Sequence, residues 1–168
     1  MLLEQSTGSV IAYVLNAMKA AEPNLTAYYE SVPERFMIPS VLFPAPEIEY
    51  HDQTLTDFIL RYIMFVVVFG SASWKAHQIA EAANMAVHVA RDKIPLLGED
   101  GTATGRIVRV RDTSVRTLEA EQATTELAVT WDAPYKYYRP EVQKMQRMHL
   151  DLHYKWEDRM TAEDTLEP

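Results

Sequence analysis

The stretch that most limits what this chain can fold into is FILRYIMFVVVF, from Phe58 to Phe69. It is dense in β-branched and aromatic residues and holds no Gly or Pro, which suits a strand interior. At about 3.3 Å per residue such a strand spans roughly 40 Å, well beyond the five or six residues usual for a strand. Alternation puts Phe58, Leu60, Tyr62, Met64, Val66 and Val68 on one face, and Ile59, Arg61, Ile63, Phe65, Val67 and Phe69 on the other. Both faces are apolar, so both need cover.

The next segment supplies one cover. Gly70 and Ser71 break the strand, and Ser73 is placed to cap a helix from Trp74 to about Lys93. Ala76, Ile79, Ala83, Ala86 or Val87, Ala90 and Ile94 recur at helical spacing, a stripe of small residues that can lie close on a sheet. His77, Glu81, Asn84, His88 and Asp92 fall on the wetter side. No segment offers itself for the second strand face, and neighbouring copies of the chain are expected to cover part of it.

Before the strand, Ser6 or Thr7 can cap a helix to about Ala21 with Val10, Val14, Ala17 or Met18 inward, and Pro23 ends it. Leu25 to Glu30 reads as a short strand. Pro33, Pro39, Pro44 and Pro46 limit Phe36 to Phe43 to an edge or interrupted strand. Ile48 and Tyr50 then begin a hairpin arm that returns as the long strand. After the central helix, Pro95 and Gly98 to Gly101 make a loop, and a second hairpin follows, Arg106 to Leu118 and Thr124 to Tyr138. The fold class is α+β: helix, two strands, helix, two strands, a mostly antiparallel sheet with helices packed on it. Pro140 opens a C-terminal helical arm whose apolar side includes Met145, Leu152 and Trp156, a candidate docking surface for a partner. The expected division is a domain over 1–139 and an arm with an acidic, disordered tail over 140–168.

Chemistry is hard to find. The 168 residues contain no cysteine, which removes disulfides, thiolate catalysis and cysteine-bound metals. A net charge of -8 opposes general coating of nucleic acid. The longest apolar run, Tyr62 to Gly70, is short of the roughly twenty residues a membrane helix needs, and Glu4 stands where a secretory signal carries positive charge; the chain is expected to stay in the compartment where it is made. His77, Glu81 and His88 share a helix and His149 and His153 are four apart, but HExxH is absent, so no metal or cofactor is expected. There is no GxSxG, GxGxxG or GxxxxGK pattern, and Glu119 and Glu121 read as exposed turn residues. The one charge anomaly is Arg106, Arg109, Arg111 and Arg116 in an acidic chain. Phosphate contact is one use for it; ion pairs to the acidic surface of a neighbouring subunit, from Arg109 and Arg111, are the preferred one.

The order of these segments, with MIPSVLFPAPEIEY, TDFILRYIMFVVVFG and TELAVTWDAPYKYY, resembles the tail terminator, or tail completion, proteins of long-tailed bacteriophages over roughly Thr7 to Tyr138. The resemblance implies a non-enzymatic subunit of a ring, typically a hexamer, located in the virion neck. It would cap the head-proximal end of the tail tube, end its polymerisation and form the surface that joins the head–tail connector. Its partners would be itself, the tail tube protein and the connector, and DNA would pass through the lumen without specific binding. Within such a ring Ile63, Phe65 and Val67 are the expected apolar subunit contacts. The rival readings are another neck component, such as a head completion or adaptor protein, and a small α+β enzyme or ligand-binding domain.

Overall fold

The computed structural model describes residues 3–119 and 123–137. The chain divides into two units, Met1–Tyr137 and Tyr138–Pro168; the arm expected from Pro140, with Met145, Leu152 and Trp156, lies outside the described residues. Elements follow in the order α1 (Leu3–Ala21), β1 (Thr26–Tyr29), β2 (Ser40–Phe43), β3 (Glu47–Gln53), β4 (Asp57–Phe69), α2 (Ser73–Val89), β5 (Lys93–Leu97), β6 (Ala103–Glu119) and β7 (Thr124–Lys136). The class is α+β: among the described residues, two helices pack on a seven-stranded sheet that is antiparallel except where β1 runs parallel to β2.

The sheet is ordered β1-β2-β4-β7-β6-β5, with β3 sharing one side of β4 with β2. β4 is its spine. β7 pairs with all of it, from Asp57↔Lys136 to Phe69↔Thr124. On its other side β3 pairs with 58–63 and β2 with 67–69. From Tyr62 onward the even residues of β4 are buried and the odd ones half-buried, so the two faces differ more than the composition suggests.

Both helices lie on the even face. Val10, Val14 and Met18 of α1 and Ala76, Ile79, Ala80, Ala83 and Val87 of α2 join Tyr62, Met64, Val66, Val68 and Trp131 in one core. Each large side chain there contributes about 1.5–3 kcal/mol by leaving water. Trp131 is fully buried and stacks on Tyr62 with ring centroids 5.3 Å apart. The helices are joined by Tyr13, whose Oη donates to the Ala86 carbonyl at 3.0 Å.

Helix ends depart from the sequence signals. α1 begins at Leu3, and Ser6 is buried within it, not at its cap; packing of the inward stripe carries the helix past the capping residue. Ala72, not Ser73, holds the N-cap of α2 and makes no side-chain cap bond. At the other end Arg91 and Asp92 adopt φ of 55° and 59°, a left-handed turn that stops α2 four residues before Lys93 and starts β5, a strand the sequence does not signal. Non-glycine residues rarely take this turn. β5 is an edge strand, where Pro95 loses nothing by having no N–H, and Ser9 holds it by accepting from the Leu97 N–H at 2.9 Å. Between β4 and α2 a Cβ at Gly70 would lie 2.8 Å from the Ala76 nitrogen, so the tight strand-to-helix turn requires glycine.

Candidate functional site: the open face of the sheet and its edges

The odd face of β4 receives no helix among the described residues. Ile63, Phe65 and Val67 lie on it half-buried, opposite Thr130, Ala128 and Glu126 of β7. At its upper end the β1–β2 connection crosses, and Phe36 packs on Phe69 with centroids 4.9 Å apart.

Beside this apolar strip runs a charged one. Asp132 is nearly buried, its side chain 7% exposed, and accepts from Arg61 Nε at 3.1 Å and Arg111 Nε at 2.7 Å. Burial alone would raise its carboxyl pKa; the two guanidiniums outweigh that and hold it below the usual range. Arg61 Nη2 also meets His51 Nε2 at 2.7 Å. Arginine only donates, so that nitrogen accepts and the His51 proton sits on Nδ1. Further along, Arg116 Nε binds the nearly buried Glu126 at 2.7 Å.

The sequence places Arg109 and Arg111 together, and the structure gives them different surroundings. A bulge between Val110 and Asp112 sets Arg111 onto Asp132 within the chain. Arg109 is exposed and makes no ion pair among the described residues. Asp132 and Glu126 are the residues that sequence reasoning missed. The signal was available: an acid among polar strand positions, level with an arginine on the next strand.

The histidines do not gather. Among the described residues no group of three or more His, Asp or Glu is arranged to hold a metal. His88 instead links Asp92, 3.0 Å from its Nδ1, to Thr113 of β6, 3.1 Å from its Nε2, while Thr113 Oγ1 donates to Asn84 Oδ1. The hydroxyl is thereby used in strapping α2 to β6. A cleft of about 300 Å³ lies between the first turns of α1 and the 97–101 loop, remote from the charged strip.

Below the helices, β3, β4 and β7 extend as an aromatic arm. Phe58 stacks on Tyr135 at 5.5 Å and Tyr50 at 6.5 Å. Tyr50 Oη lies 3.2 Å from Tyr137 Oη and 2.7 Å from Gln53 Oε1. The bond to Tyr137, with smaller effects of desolvation and nearby charge, pushes the Tyr50 pKa up to about 12.

The two edges of the sheet differ in charge. β3 is exposed throughout and carries Glu47, Glu49 and Asp52; Glu47 and Glu49 make no ion pair among the described residues. On the far side β5 covers β6 only from Ala103 to Arg109. Past that point, among the described residues, 111–118 pairs with β7 alone; this edge carries Arg111 and Arg116, each bound through Nε to a carboxylate of β7, Asp132 or Glu126, and one carboxylate of its own, Asp112.

No protein-family model matches the chain. It is similar to the phage-like element PBSX protein XkdJ of Bacillus subtilis, 26% identical over 149 residues that cover 89% of this chain and 97% of that protein. It is also similar to the uncharacterized protein YqbJ of the same organism, 28% identical over 137 residues, 82% of this chain and 89% of that one. Among solved structures, a chain from the virion of a native gene transfer agent particle aligns with TM-score 0.44 and 15% identity, over 79% of this chain and 98% of that one. A second, Np_888769.1, aligns with TM-score 0.43 and 18% identity, over 84% and 99%. No described helix is long and apolar enough to cross a membrane.

Proposed function

We propose that this chain is a structural subunit of a phage-type particle, and within it the tail terminator: a ring that caps the head-proximal end of the tail tube, ends its growth and offers the surface to which the head connector joins. The observation that carries this reading is the similarity, over 89% of this chain and 97% of its relative, to a protein of a phage-like element. The open face supports it. Among the described residues the helices lie on one side of the sheet only, and the strip of Ile63, Phe65 and Val67 on the other is surface left for an assembly to use. Arg109 and Arg111 lie toward the edge where copies would meet. A net charge of -8 suits a passage that DNA crosses without sticking.

The test is tube length. Purified chain added to polymerising tail tube subunits of the same particle should arrest growth, with ring density at one tube end in negative stain. Tubes of unchanged length and bare ends would sink the terminator reading, and binding to filled heads but not tubes would make the chain a head completion or adaptor protein.

A further inference from the structure

We infer that copies of this chain join edge to edge: the outer edge of β3 in one copy pairs antiparallel with 111–118 of β6 in the next, continuing a single sheet around the ring with the helices outside. This rests on the ring reading above and specifies its joint.

Free strand edges are templates for pairing, and here the two are unlike. The acidic one bears Glu47, Glu49 and Asp52; the other bears Arg111 and Arg116, which bind Asp132 and Glu126 through Nε, with Arg109, in no ion pair among the described residues, beside it. Unlike edges make a heterologous contact, the kind that generates rings. The side chains also fall on matching faces. Glu47 and Glu49 are level with Ile63 and Arg61 and so lie on the open face; Arg116, level with Glu126 and bound to it, lies there too. An antiparallel register that keeps the open faces continuous brings Glu47 or Glu49 beside Arg116 and Asp52 toward Arg111.

The geometry of closure agrees in size and in hand. Gly70 N–H bonds to Ala123 O and Tyr137 N–H to Thr56 O, so the helix-facing residues of β4 are those bonded to β7. In an L-chain running upward, a residue whose side chain points at the viewer directs its N–H and C=O to the right. Seen from the helix side with β4 running up, β7 and β6 therefore lie to its right and β3 to its left. β3 is level with 58–63 of β4, while the bare stretch of β6 is level with 63–68, through Asp112↔Thr130↔Ile63 and Thr117↔Thr125↔Val68. The right edge thus sits higher by about five residues, roughly 17 Å.

Strands of a closed barrel lean to the right seen from outside, because adjacent strands are rotated by about −20 to −25°. That lean is what lets a higher right edge meet the lower left edge of the next copy. Across four strand spacings, roughly 19 Å, the offset calls for a lean of about 40°, within the 35–45° of closed barrels. With the helices inside, the hand would be wrong. The same rule of direction turns the N–H and C=O groups of Ile48 and Tyr50, and of Thr113, Val115 and Thr117, outward into the joint. Ile63, Phe65 and Val67 then face the inside of the ring and not the joint, unlike the subunit contacts expected of them. Backbone pairing holds the seam, with the arginines bridging Asp132 and Glu126 of their own chain to the carboxylates of the next copy.

Two proline substitutions test this, each at an N–H that points out of the sheet, so that no bond to β4 or β7 is lost: Ile48→Pro on β3 and Thr117→Pro on β6. Light scattering and negative stain on the full chain should show rings for the wild type and single copies for each variant, with unchanged circular dichroism. An equimolar mixture should give one-to-one dimers and nothing larger, since each variant keeps the edge the other lacks. Rings from either variant, or a mixture that stays monomeric, would overturn the edge joint and leave the ring reading standing. A wild-type chain that neither forms rings nor caps tubes would overturn the ring reading itself, and the joint with it.

Discussion

Asp132→Ala should be the most informative single substitution outside the core. The carboxylate is 7% exposed and holds Arg61 and Arg111 at 3.1 and 2.7 Å. Hydrogen bonds to charged groups contribute about 1.5–3 kcal/mol each, and leaving a buried charge without its partner costs about 3–5 kcal/mol. Both arginines keep contact with water, 27% and 50% exposed, so the loss falls below the simple sum, at about 2–3 kcal/mol. In a chain of 168 residues that corresponds to a melting point lower by roughly 4–12 °C. Because the folded-state pKa of Asp132 is depressed, its contribution is complete above the unfolded carboxyl pKa, about 3.9, and is lost as pH falls through the folded value. Urea unfolding of wild type and variant, each in the Ile48→Pro background in which single copies are expected, should give a gap at pH 7 that narrows as the pH drops below about 4. A gap that is the same at pH 7 and pH 3, or under about 0.5 kcal/mol at pH 7, would refute the assignment of charge pairing to this site.

Two glycines should respond in opposite directions to alanine. Gly70→Ala drives a Cβ into the Ala76 nitrogen at 2.8 Å and should cost about 1–3 kcal/mol in denaturant midpoint, whereas Gly8→Ala, in α1 with open space around it, should add about 0.5–1 kcal/mol. Tyr137→Phe removes the hydrogen bond that chiefly raises Tyr50 to about 12, so ultraviolet titration should show one phenol ionising closer to 10; an unchanged profile would disprove the Tyr50–Tyr137 coupling.

The parts of the fold legible in the sequence were those set by periodicity over long runs. β4 was readable because twelve residues without Gly or Pro leave few alternatives, and both hairpins followed from alternation around polar turns. β5 was not readable. Its start depends on Arg91 and Asp92 entering a left-handed turn that favours glycine, and five residues containing Pro95 look like loop. The helix caps failed for a related reason: Ser6 and Ser73 are good capping residues, but Ser6 is buried inside α1, and the tight turn at Gly70 starts α2 at Ser73 with Ala72 as its N-cap. The charged strip was half legible. Arg109 and Arg111 stood out against an acidic composition, yet a bulge is invisible in a residue pattern, and it is the bulge that turns Arg111 onto Asp132.

The pairing of β4 along its whole length with β7 sets a schedule for synthesis. A ribosome that has finished Phe69 must add nearly seventy residues before Lys136 exists to complete the partner strand; at ~5–20 residues per second, that wait lasts roughly 3–14 s. Throughout it the greasiest segment of the nascent chain can close on β2 and β3 but not on its main neighbour. Overproduction should therefore yield insoluble material from truncated or stalled chains sooner than from the finished subunit, and slower growth temperatures or added trigger-type chaperones should rescue yield without any change of sequence.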